Sequence, residues 1–108
     1  MIELSWPRRE LSPNARAFWA VVSVARRRAK SDAFYAAKAS GIAAGKRLKM
    51  TFCPPDNRIR DIDNAFASCK AALDGIAAAW GVNDRDFTFS LEWGAPVKGG
   101  RVLVEVVA

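Results

Sequence analysis

The chain opens with alternating apolar and polar residues, Ile2-Glu3-Leu4-Ser5-Trp6, closed by Pro7. A period of two predicts a short strand, because successive side chains of extended backbone point to opposite faces. Arg8, Arg9 and Glu10 read as loop. Ser12-Pro13 then offers a helix start, with serine as N-cap and proline in the first helical position. From there to about Ala44, apolar residues at Phe18, Val21, Val22, Ala25 and Ala29 recur at spacings of three and four. That spacing marks one helical face. Ser31-Asp32 is a second possible cap, so the pattern admits one long helix or two, the second over 33–44.

Lys49-Met50-Thr51-Phe52-Cys53 reads as a strand stopped by Pro54-Pro55, and Asp56 to Arg60 as a polar, basic loop. Asp63 to about Ala79 is helical in pattern, with Phe66, Cys69, Leu73, Ile76 and Ala77 on its buried side and Gly81 as its stop. Phe87 to Trp93 and Arg101 to Val107 alternate again, and Pro96 to Gly100 is expected to join them as a hairpin loop. The predicted order is β-α-β-α-β-β: a single α+β domain, residues 1–108, with helices packed on a four-stranded mixed sheet. Cys53, Cys69, Trp19, Trp80 and Trp93 are most simply core or near-core residues.

Composition narrows the chemistry. No histidine is present, which removes Ser-His and Cys-His nucleophiles and histidine-bearing zinc sites together. Two cysteines give no disulfide framework. Catalysis, if any, must then run on carboxylates, lysine, hydroxyls or a metal held by oxygen. No run of apolar residues is long enough for a membrane span, and the first residues lack the pattern of a secretory signal. A cytoplasmic setting, in a bacterial or phage-infected cell, is the expectation.

The net charge of +6 is unevenly spread. Residues 1–55 hold eleven Lys or Arg against three acids, whereas six of the seven aspartates fall between positions 56 and 86. A basic surface is the usual footprint of a phosphate-backbone partner. Aspartates within such a protein would repel that backbone unless a cation stood between them. Caps and solvated surface charges are the plainer role for any one of them.

Arg60-Asp61-Ile62-Asp63-Asn64 is the strongest local feature. Asp-x-Asp places two carboxylates on one side of an extended segment, an arrangement that suits magnesium. Asp63 can equally serve as a helix N-cap, and the two roles are compatible. Lys70 follows Asp63 by seven residues, roughly 20° short of two helical turns, and Asp74 lies near three turns. Lys70 is therefore open to two readings: a surface pair with Asp74, or an amine aimed at a phosphate. Asn83-Asp84-Arg85-Asp86 follows Gly81, where a sharp turn would return Asp84 towards the edge from which Asp61 came.

Together these residues resemble the RusA family of crossover-junction endodeoxyribonucleases. The resemblance rests on Ser5-Trp6-Pro7, Ser12-Pro13-Asn14-Ala15-Arg16, Arg60-Asp61-Ile62-Asp63-Asn64, Lys70-Ala71-Ala72-Leu73-Asp74, Asn83-Asp84 and Lys98-Gly99-Gly100-Arg101, in that order. Two departures stand out. The seven-residue gap before Lys70 is similar to phage-type members, and Asn83 stands where aspartate is common. The resemblance implies a homodimeric, magnesium-dependent enzyme, with manganese as a substitute, that nicks opposed strands of a four-way DNA junction. It assigns Asp61, Asp63 and Asp84 as metal ligands and Lys70 as the catalytic lysine. Arg8, Arg9, Arg16, Arg58, Arg60, Lys98 and Arg101 would contact DNA. The competing expectations are a branched-DNA-binding protein without catalysis, and a basic scaffold whose aspartates serve only as caps.

Overall fold

A computed structural model describes residues 1–107. The elements are β1 (Ile2–Ser5), a 3-10 turn (Arg9–Leu11), α1 (Trp19–Ser40), β2 (Arg47–Cys53), α2 (Ile62–Ala67), α3 (Lys70–Trp80), a second 3-10 turn (Asp84–Asp86), β3 (Thr88–Trp93) and β4 (Arg101–Val106). The four strands form one sheet in the order β1-β4-β2-β3. β4 runs antiparallel to both β1 and β2, and β2 pairs parallel with β3. The expected α+β class is therefore observed.

Three strands, β1, β2 and β3, point the same way, and the antiparallel β4 is inserted between the first two. Each forward connection needs a crossover, supplied by α1 and then by α2 with α3. A strand-helix-strand crossover is right-handed in nearly all proteins. Two such crossovers moving in the same direction along the sheet lay their helices on one face, and α1 packs against α3 there. The opposite face is polar, with Lys49, Thr51 and Glu92 side by side.

The core lies between these layers. Ile2, Leu48, Met50, Phe52, Val102 and Val104 from the sheet meet Ala33, Ala37, Cys69, Leu73 and Ile76 from the helices. Alternation along β2 and β4 produces this directly, since every second side chain faces the helices.

Several expectations change. Ser12-Pro13 does not start a helix: residues 13–18 are extended or turn-like, and α1 begins at Trp19 behind Phe18. α1 is one helix, ended by Gly41, not two. Its buried positions are Ala25, Ala33 and Ala37, whereas Phe18 and Trp19 are more than four-fifths exposed. The small residues win because α1 lies very close to α3. A Cβ added to Gly75 would collide with the Lys30 carbonyl oxygen. Only alanine and glycine permit that approach, and the bulky residues turn outward.

The segment expected as one helix from Asp63 is broken into α2 and α3 at Ser68 and Cys69. The Ser68 hydroxyl donates to the Asn64 carbonyl at 2.7 Å, and the Cys69 N–H donates to Phe66 rather than to residue 65. Serine bonding back to the preceding turn bends helices in this way. Finally, residues 94–100 are not a hairpin loop. β3 and β4 are separated by β2, and the loop crosses the end of that strand, with Gly94 and Val97 donating to the Phe52 and Pro54 carbonyls.

Gly75→Ala tests the helix contact. In an exposed helix alanine would gain about 1 kcal/mol over glycine. Here overpacking against the Lys30 carbonyl should reverse the sign, lowering stability by about 1–3 kcal/mol in urea unfolding.

Candidate nucleic-acid interface

The C-terminal ends of β1, β2 and β3 share one end of the sheet, and the loops that follow them carry most of the cationic candidates. Arg8 and Arg9 follow β1, Arg58 and Arg60 follow β2, Lys98 follows β3, and Arg101 opens β4. Open α/β sheets bind ligands at this end because the loops there converge on one rim. An open groove of about 700 Å³ is lined by Trp6, Arg8, Arg9, Arg58, Arg60 and Asp61, among others. Arg16 is exposed in the segment that leads into α1.

The arginines divide into builders and displayed charges. Arg60 sits 5.7 Å from the Trp6 ring centre, and its guanidinium reaches an Asp56 carboxylate oxygen at 2.8 Å. It also donates to the carbonyls of Asp56 and Arg58, each at 3.2 Å. With its side chain only 16% exposed, Arg60 is largely consumed in shaping the groove. Arg58 is the reverse. Its side chain is 80% exposed, and it makes a looser 3.6 Å pair with the same carboxylate. Arg9, Arg16 and Lys98 have no ion pair among the described residues. Arg101 pairs with Glu3 at 2.9 Å across the β1–β4 ladder.

Asp56 organises this loop. The backbone N–H of Arg58 donates to its carboxylate at 2.9 Å, and this bond, with the Arg60 hydrogen bond and both arginine charges, holds the Asp56 pKa below its ordinary value. Gly100, at φ 68°, lies against Trp6 and Pro55, where a Cβ would stand 2.9 Å from the Trp6 Cβ. The sequence assigns neither Trp6 nor Asp56 a role in the site. The available signals were Trp-Pro at a strand end and an aspartate two residues before Arg58, the spacing of an Asx turn.

The acidic candidates fall in two places. Asp61 is the N-cap position of α2 but makes no side-chain capping bond, and Asp63 lies in that helix's first turn; both are exposed. Asp84 sits elsewhere, beside Asp74 of α3, with Asn83, Ala77 and Ala78 nearby. Burial raises the Asp74 pKa above its ordinary value, reinforced by a hydrogen bond with Asp84 and by that residue's charge, while Lys70 and Lys30 oppose the shift. Lys70 opens towards Leu11, Arg26 and Asp74 rather than into the arginine groove. Asn83 caps the short turn through the Arg85 N–H.

The expected return of Asp84 towards Asp61 does not occur, and topology is the reason. β2 and β3 are parallel, so the segment after β2 and the segment before β3 lie at opposite ends of the sheet. Asp63 lies in α2, before the break at Ser68 and Cys69, whereas Asp74 lies in α3 beyond it. Among the described residues no group of three or more acidic or cysteine side chains stands together as a metal cage. One chain alone does not fit the metal centre that the family resemblance implies.

Of the cysteines, Cys53 and Cys69 are buried and unpaired, and burial pushes the Cys69 thiol up to about 12. It is an inert core group. Among the described residues, no helix is long and apolar enough to cross a membrane.

No family model matches the chain. An uncharacterized protein of Xylella fastidiosa (strain Temecula1) is 37% identical over 93 residues, a match that takes in 80% of this chain. The chain spans about three fifths (61%) of that relative's length.

Asp56→Asn should loosen the groove. Without the carboxylate charge Arg60 loses its principal anchor, and trypsin should cut after Arg58 and Arg60 faster than in the parent protein. Acid should act the same way. A depressed carboxylate pKa contributes order that is present above its unfolded value, about 3.9, and lost as pH falls through the folded value.

Proposed function

We propose that this chain is an endonuclease that cuts phosphodiester bonds in branched DNA, with magnesium or manganese as its cation, in the cytoplasm of a bacterial or phage-infected cell. The observation that carries the reading is the groove. Trp6, Arg8, Arg9, Arg58 and Arg60 line it, with the Asp61 carboxylate on the same wall. Displayed arginines bind phosphate oxygens in paired, charge-assisted contacts, and a carboxylate among them needs a cation to tolerate the same backbone. The ordered set of motifs shared with RusA-type resolvases supports the same substrate class.

Arg9, Arg58 and Lys98 hold the DNA backbone in this reading, and Arg16 extends the contact towards α1. Asp56 and Arg60 act through the loop they hold. Asp61 and Asp63 face the scissile phosphate. Lys70 neutralises charge near Asp74 and is assigned no contact with the groove. No hydrolytic step is routed through a metal, since one chain's carboxylates do not assemble a cage.

That same separation favours a second reading, a protein that binds branched DNA without cutting it. The two are separated by incubating the protein with a synthetic four-way junction, with magnesium and with EDTA. Nuclease action predicts magnesium-dependent nicks, lost in Asp63→Asn, while that variant still binds the junction in calcium. Tight binding with no nicks across magnesium and manganese titrations would select the second reading.

A further inference from the structure

Exposed apolar residues that stand alone are common on protein surfaces and need no role. Ile59 is a different case, because its surroundings are built. Its side chain is fully exposed in the loop between β2 and α2. The loop itself is pinned on both sides of it. The Arg58 N–H donates to the Asp56 carboxylate, and the Arg60 guanidinium reaches back to the carbonyls of Asp56 and Arg58. The fold therefore holds a bare aliphatic side chain in place between a displayed arginine and a clamped one.

Ile59 also stands as a ridge between two depressions. On one side lies the arginine groove, with Trp6 and Asp61 in its wall. On the other lies a hollow of about 270 Å³, lined by Pro54, Arg58, Trp93 and Pro96 among others. The Trp93 indole is 42% exposed and is backed by Phe52, edge-on with ring centres 6.0 Å apart. The far wall of the hollow is fixed too, since Gly94 and Val97 donate to the Phe52 and Pro54 carbonyls. Its volume falls just below the roughly 300–1,000 Å³ of sites for drug-sized ligands, which suits one planar base and not a stack of them.

We infer that Ile59 is a wedge that enters the base stack at a DNA branch point, and that the hollow beside Trp93 receives the base it displaces. The inference rests on the branched-DNA reading of the groove. Apolar side chains inserted between base steps unstack them, and an aromatic face holds any of the four bases. In linear duplex the wedge meets the full cost of breaking a stacked pair. At a branch point the stack already ends, so Ile59 is buried at lower cost. The phosphates on either side fall to Arg58 and to the groove. Preference for branched DNA then comes from shape, while the arginines supply affinity for any duplex.

The test uses synthetic four-way junctions bound in calcium, so that no strand is cut. With the parent protein, thymines at the branch should become reactive to permanganate, which attacks unstacked bases. Ile59→Ala should lose that reactivity and Ile59→Leu should keep it. The preference of the alanine variant for junction over linear duplex should drop roughly tenfold. Iodouracil at the branch, excited in the near ultraviolet, should crosslink to Trp93. Reactivity and preference unchanged in Ile59→Ala overturn the wedge, and a crosslink to Trp6 or Trp19 instead overturns the hollow. The same junctions separate this inference from the nuclease reading. Unstacking that needs Ile59, without nicks in magnesium, sinks the nuclease and leaves the wedge. Nicking in magnesium, with permanganate reactivity unaltered in Ile59→Ala, does the reverse.

Discussion

The parallel pairing of β2 with β3 governs the rest of this molecule. Parallel neighbours cannot be joined by a tight turn, so the chain must travel the full height of the sheet before it enters the next strand. Here α2 and α3 make that journey, kinked at Ser68 and seated on α1 by Gly75. Whatever leaves β2 is stationed at one end, and whatever precedes β3 at the other. Asp61 and Asp63 belong to the first group and Asp84 to the second. No loop conformation near Gly81 alters that assignment without undoing the ladder from Arg47–Thr88 to Phe52–Trp93.

The two ends have different electrostatics. The loop end concentrates cations, and it invests one of them, Arg60, in holding Trp6 and the Asp56 loop so that Arg58 stays displayed. The far end sets two carboxylates against each other, Asp74 and Asp84, with Lys70 and Lys30 offsetting the repulsion. Close like charges of this kind disfavour ionisation.

The fold class was legible because it rests on local signals. Alternation in Ile2–Ser5, Lys49–Cys53 and Arg101–Val106 set the strands, and Leu73, Ile76 and Ala77 marked the buried side of α3 correctly. What was not legible depends on contacts between distant segments. Phe18 and Val21 satisfy a helical apolar spacing, but they face outward because the closeness of α1 to α3 admits only alanine at the contact. The last two strands look like a hairpin from the short link between them, and only the insertion of β2 shows otherwise. Arg8, Arg9, Arg58 and Arg60 line one groove because each follows a strand end. The acidic candidates do not come together, because sequence spacing cannot report whether two strands run parallel.

The most direct measurement is an intrachain distance. Spin labels at Asp63→Cys and Asp84→Cys, in chains diluted with excess unlabelled wild type, read the separation within one molecule by pulsed EPR. A parallel crossover predicts labels held well apart, because α2 and α3 lie between the two positions. Labels in van der Waals contact within a single diluted chain would contradict it.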